Sequence, residues 1–196
     1  MGTIPKVLAI GGCAAVGKTT VAVALGARLG SDMLPLDTIW LALRAATSPA
    51  SHPELHDLDP SGGELTLERL RDHHTKGAQT ISRAMDPVIE YYLREGQPVV
   101  MEGAWIAPSV AARWTRDHED VQADFILEPD MDEILATMLA RSGNQVPTPR
   151  VKMICEGSWL VGNRVREEAL AVGLPVVDAR PRGTLAKRVL AAIGSG

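Results

Sequence analysis

The stretch Gly12-Cys13-Ala14-Ala15-Val16-Gly17-Lys18-Thr19-Thr20 constrains this chain more than any other, because it fits G-x-x-x-x-G-K-[ST] at every fixed position. Its flanks match what that motif needs. The apolar run Val7-Leu8-Ala9-Ile10 before it predicts a buried strand, and Val21 to Leu29 after it predicts a helix with an apolar stripe at 21, 25 and 29. Glycines let the loop curl so that successive backbone N–H groups point inward, and the helix that opens near Lys18 adds its positive end. The expected occupant is a polyphosphate: Gly12, Cys13, Ala14, Ala15, Val16, Gly17, Lys18, Thr19 and Thr20 form the cofactor cradle. Lys18 is expected to reach the β- and γ-phosphates of ATP, and the Thr19 hydroxyl to ligate Mg²⁺.

At 196 residues the chain suits one well-buried domain, expected over 1–196. Hydrophobic residues at 45% and charged residues at 22% describe an ordinary globule without an apolar run of membrane-spanning length. No secretory signal pattern is present at Met1-Gly2-Thr3-Ile4-Pro5, so the cytoplasm is the expected compartment. The net charge of −4 argues against binding nucleic acid by neutralising many phosphates. The expected partner is a small molecule, with neither nucleic acid nor membrane, and the chain itself a monomer or homodimer. Cys13 and Cys155 resemble neither a disulfide framework nor a zinc site; Cys13, in the anion-binding turn, is read as a small residue that fits, with a thiolate as the less favoured alternative.

Further along, Met33-Leu34-Pro35-Leu36 reads as a short strand that ends at Asp37, before a helix over 38–44. An aspartate at the carboxyl end of a strand faces the crevice where open α/β sheets bind ligands, although a helix N-cap is the plain alternative. Residues 48–63 read as a loop, and a metal cluster of His52, His56, Asp57 and Asp59 is less favoured there than surface polarity. From Glu64 to Glu95 helical spacing returns, with Pro87 expected to start a second helix capped by Asp86. The basic residues of that stretch, Arg69, Arg71, His73, His74, Lys76 and Arg83, are read as a solvated face.

Val99-Val100-Met101-Glu102-Gly103 predicts a buried strand whose terminal carboxylate can hold Mg²⁺. Trp105 follows, either lining an acceptor site or filling the core. Val121 to Leu127 predicts the next strand, Met131 to Arg141 a helix, and Pro175 to Asp178 the last strand before a closing helix. Between them Arg141 to Arg150 is polar, proline-rich and bounded by arginines, the composition of a lid over phosphates. Five candidate strands alternating with helices predict an α/β fold: a five-stranded parallel sheet with helices on both faces and a short lid at about 141–150.

These motifs together resemble the P-loop small-molecule kinases of the nucleotide-kinase-like group, which implies the P-loop NTPase fold and the use of ATP with Mg²⁺. Glu102-Gly103 is similar to the strand end of 2-phosphoglycerate kinase-like proteins, and Asp37 to the base of chloramphenicol phosphotransferase-like enzymes. The resemblance implies catalytic roles for Lys18, Asp37 and Arg141, nucleotide contacts from Arg141 and Arg150, and a metal held by Thr19 and Glu102. Substrate contacts are expected from Asp37, Trp40, Arg44, Glu102 and Trp105. The pattern Asp-x-Ile-Arg of 2-phosphoglycerate kinases stands here as Asp37-Thr38-Ile39-Trp40, so an uncharged sugar, nucleoside or antibiotic is favoured as acceptor. A phosphorylated acid, or an ATPase or nucleotide-binding module without acceptor, is the alternative. A guanine-reading Asn-Lys-x-Asp sequence is absent, which argues against a GTPase switch.

Overall fold

Strands buried on both faces need near-continuous apolar sequence, and two runs meet that demand: β1 (Val7–Gly11) and β3 (Val99–Gly103), buried at every residue. The computed structural model describes residues 5–56, 66–143 and 146–193. Three further strands, β2 (Asp32–Pro35), β4 (Val121–Leu127) and β5 (Val176–Asp178), complete a parallel sheet of order β2-β3-β1-β4-β5. The expected α/β sheet of five parallel strands is therefore present. Its register aligns Ile10 with Glu102 and Pro35 with Glu102, so the segments that follow β1, β2 and β3 emerge side by side on one edge.

Alternation along β1 divides the core. Val7 and Ala9 enter one apolar cluster, while Leu8 and Ile10 enter the other. The first cluster is filled by α4 (Leu67–Ala84), α5 (Asp86–Glu95), α6 (Pro108–Asp117) and the C-terminal part of α8 (Pro149–Ala171). The second takes α1 (Lys18–Leu29), α7 (Met131–Ser142) and α9 (Leu185–Ile193). Helices on both faces satisfy a sheet that has no solvated side. Among the described residues no helix is long and apolar enough to cross a membrane.

Several boundaries differ from the sequence reading. The helix expected over 64–95 is indeed divided, but Met85 is the N-cap of α5. Asp86 is instead its first residue, and its carboxylate accepts from Arg113 Nη2 and Trp114 Nε1 at 2.8 Å. Within the expected loop 48–63, Pro53–His56 forms a short helix, α3, while 57–65 lie outside the described residues. His52 pairs with Glu54, and no group of three metal-ligating side chains occurs among the described residues. The segment 141–150, read as a lid, overlaps helix at both ends. Arg141 belongs to the last turn of α7, which Gly143 ends in a left-handed conformation, and Arg150 belongs to the first turn of α8. Asn144 and Gln145 lie outside the described residues.

Candidate active site

The loop between β1 and α1 adopts the curled form that its glycines permit. Gly12 has φ +140°, and a Cβ there would stand 2.1 Å from the carbonyl oxygen of Ile126. Gly17 has φ +98°, and Ala15, although not glycine, is also left-handed at φ 66°. Helix α1 opens at Lys18 with Gly17 as its N-cap and no side-chain cap, so its first N–H groups are directed towards an incoming anion. Lys18 is only 8% exposed and its Nζ donates to the Cys13 carbonyl at 2.7 Å across the loop. Burial lowers its pKa, and Cys13, Glu102 and Asp37 oppose that effect. The Cys13 thiol is pushed up to about 11, chiefly by burial, which removes the thiolate alternative.

Glu102 reaches this loop from β3. Its Oε1 accepts from Thr19 Oγ1 at 3.0 Å, and the residue is 7% exposed. A hydroxyl and a carboxylate are the hard oxygen donors that Mg²⁺ takes, with phosphate oxygens and water filling its remaining positions, so these two residues fit the ion. Asp37 lies two residues beyond Pro35, in the first turn of α2 (Leu36–Ala46), and is exposed. The N-cap is Pro35, so the capping alternative for Asp37 does not hold. Its Oδ1 instead accepts from Trp105 Nε1 at 2.8 Å.

That bond belongs to a column of rings. Trp40 stacks on Trp105 at 5.5 Å between centroids, His74 stacks on Trp105 at 5.7 Å, and the Arg44 guanidinium lies over Trp40 at 5.5 Å. His73 meets Trp105 edge-on. His74 donates through Nε2 to the Ala104 carbonyl at 2.6 Å, and burial pulls its pKa down to about 4, so the imidazole is neutral at pH 7. The solvated basic face read for α4 is thus corrected at these two histidines. Arg164, by contrast, pairs with Glu168 and Thr75.

Two cavities flank the loop. One of about 240 Å³ is lined by Cys13, Ala14, His73, His74 and Trp105 with the α8 residues Ile154 and Ser158, and among the described residues no lysine or arginine lines it. The other, about 260 Å³, lies between Gly17, Thr20 and Ala24 on one side and Arg182, Gly183 and Ala186 on the other. Arg182 escaped the sequence reading. Its Nη2 donates to the Ala15 carbonyl at 3.2 Å and to Thr137 Oγ1 at 2.8 Å, which ties the segment after β5 to the loop. The available signal was an arginine between proline and glycine beyond the last strand, on the same sheet edge. Arg141 is close enough to lower the Lys18 pKa. Arg150 is exposed.

Sheet order, loop and paired strand ends together define a parallel α/β fold with a phosphate-binding loop at one sheet edge. Among solved structures the chain is similar to a gluconokinase from Sinorhizobium meliloti 1021, with a TM-score of 0.56 and 15% identity, covering 98% of this chain and 93% of that one. A shikimate kinase from Bacteroides thetaiotaomicron gives 0.55 at 12% identity, covering 95% and 97%. These likenesses establish the fold.

In sequence it is similar to two curated proteins named 2-phosphoglycerate kinase. That of Methanothermobacter thermautotrophicus is 30% identical over 189 residues, covering 89% of this chain. That of Methanocaldococcus jannaschii is 26% identical over 186 residues, covering 91% of this chain. The chain spans 60% of the length of each. No family model matches.

Proposed function

We propose that this chain transfers the γ-phosphoryl group of ATP to a hydroxyl of a small, uncharged molecule. The observation that carries the reading is the convergence of Lys18, Thr19, Glu102 and Asp37 on one sheet edge, beside a cavity lined, among the described residues, without lysine or arginine. The backbone of Gly12 to Thr20 and the Lys18 ammonium would hold the β- and γ-phosphates. Thr19 and Glu102 would hold Mg²⁺, which when bound neutralises charge on the phosphate oxygens. The 260 Å³ cavity beside Gly17 and Arg182 suits the nucleotide base.

The acceptor would enter the 240 Å³ cavity, with one wall formed by Trp105 and His74. Trp105 occupies Oδ1 of Asp37, which leaves Oδ2 to orient the acceptor hydroxyl and receive its proton as the phosphoryl group moves. Arg141 and Arg150, at the facing ends of α7 and α8, would close over the transferring group and add positive charge. Neutral His74 gives this cavity no cation for a phosphorylated acid.

A second reading has its own support: both curated relatives are named 2-phosphoglycerate kinase, and Arg44 stands on the outer face of Trp40. The test is a screen that follows ATP loss and acceptor phosphorylation separately, over sugars, nucleosides, hydroxylated antibiotics and 2-phosphoglycerate. Phosphorylation of an uncharged acceptor supports the first reading. Efficient phosphorylation of 2-phosphoglycerate alone supports the second, and ATP loss that no acceptor accelerates rejects both in favour of an ATPase.

A further inference from the structure

Within the phosphate loop, Ala15 holds a backbone conformation that its side chain disfavours. Among the described residues it alone combines a Cβ with a positive φ, 66°. That left-handed region is populated about 5–30 times less than the right-handed one by an L-residue with a Cβ. Such a backbone persists only where its surroundings hold it. The methyl group is 3% exposed, in the apolar cluster that α1, α7 and α9 fill. The carbonyl accepts from Arg182 Nη2 at 3.2 Å, and the same nitrogen donates to Thr137 Oγ1 of α7 at 2.8 Å. In a trans peptide the C=O and the following N–H are antiparallel, so whatever fixes the Ala15 carbonyl also fixes the direction of the Val16 N–H.

Arg182 is delivered by a segment that is itself anchored. The Ala179 N–H donates to the Leu127 carbonyl at 2.7 Å, and Arg188 donates to the carbonyls of Asp178 and Pro181 at 2.6 and 3.1 Å. Arg180 donates to Glu128 at 3.0 Å and to Glu133. Glu133 and Thr137 are four residues apart on α7, so Arg180 and Arg182 grip one face of that helix. The guanidinium that meets Ala15 is thereby held at both ends. Arg182 Nη1 lies 3.8 Å from where a Cβ on Gly17 would stand, so direct contact with a bound anion is the rival role for this side chain.

We propose that Arg182 is a positioning residue for polyphosphate binding, which holds Ala15 left-handed and with it the loop in its binding form. The inference rests on the reading of Gly12 to Thr20 as a phosphate cradle. The test is calorimetric titration of the full chain with Mg²⁺-tripolyphosphate at constant ionic strength, a ligand with no base to enter the cavity at Arg182. Arg182→Ala is expected to weaken binding about five-fold or more, as the fraction of loops with Ala15 left-handed falls. In an Ala15→Gly background the same change is expected to weaken it about two-fold at most, because glycine enters that region freely. Thr137→Val removes the anchor on α7 and keeps the charge. It is expected to show the same dependence on Ala15 at smaller amplitude, and it keeps the test informative if Arg182→Ala does not fold. Equal losses in the two backgrounds, as direct contact with the anion would give, overturn the proposal, and so does no loss in either. Absence of saturable binding by the unmodified chain overturns the cradle reading and the proposal with it.

Discussion

Lys18 is the residue on which the proposed chemistry depends most, since its buried ammonium is held by a backbone carbonyl of the very loop it serves. Lys18→Ala is expected to keep the fold and lower phosphoryl transfer by about 10²–10³-fold, measured as acceptor phosphorylation alongside circular dichroism. Trp105→Phe keeps a ring in the stack but removes the N–H that fixes Asp37. Loss of a hydrogen bond to a charged group, at about 1.5–3 kcal/mol, predicts a fall in kcat of about 10–100-fold with the KM for ATP unchanged. Asp124 lends itself to a different measurement. Burial pushes its pKa up to about 7 from an ordinary 3.8. Because the folded value lies above the unfolded one, the stability of the neutral form is full below pH 3.8 and is lost as pH rises to about 7, then levels off. Asp124→Asn should therefore gain stability relative to the native chain across that window, by up to about 4 kcal/mol at pH 8 in urea unfolding.

Elements were legible in the sequence wherever one local signal determined them. The loop that carries Lys18 and Thr19 was legible because its motif is contiguous, and the strand end at Glu102 because an apolar run ends there in a carboxylate. Trp40 was expected near an acceptor from the place it takes in the Asp-x-Ile-Arg pattern and Trp105 from its position after the end of β3; that the two rings stack on each other was not legible in either signal. Arg182 was not found, since its partner Ala15 is 167 residues away and no periodicity links them. His73 and His74 were taken for a charged face because α4 is polar along most of its length; the ring that covers them comes from the turn after β3. Asp86 looked like a cap because it precedes a proline, but its carboxylate is claimed by Arg113 and Trp114 of α6. At this scale the prediction concerns α7 and α8, whose facing ends carry Arg141 and Arg150. If they close over nucleotide, hydrogen exchange of amides at 139–143 and 148–152 should slow on adding ATP with Mg²⁺, and unchanged exchange would remove the closing motion from the mechanism.

For the whole molecule, the parallel sheet brings together three strand ends that are far apart in sequence, so the site exists only when the sheet is complete. ATP with Mg²⁺ should accordingly bind the folded chain alone, and at about 100 times its Kd should stabilise it by about 2.7 kcal/mol in thermal or chemical unfolding. Lys18→Ala should lose most of that gain. The ring column has an optical consequence as well. Of the chain's four tryptophans, Trp114 is hydrogen-bonded to Asp86 in the interior and Trp159 to the Pro129 carbonyl, whereas Trp40 stacks on Trp105, which lines the cavity of about 240 Å³. Stacked indoles exchange excitation with each other, and a neighbouring imidazole quenches them. An acceptor that enters beside Trp105 would change emission with no label attached, so the protein carries its own fluorescent gauge of which small molecules it admits.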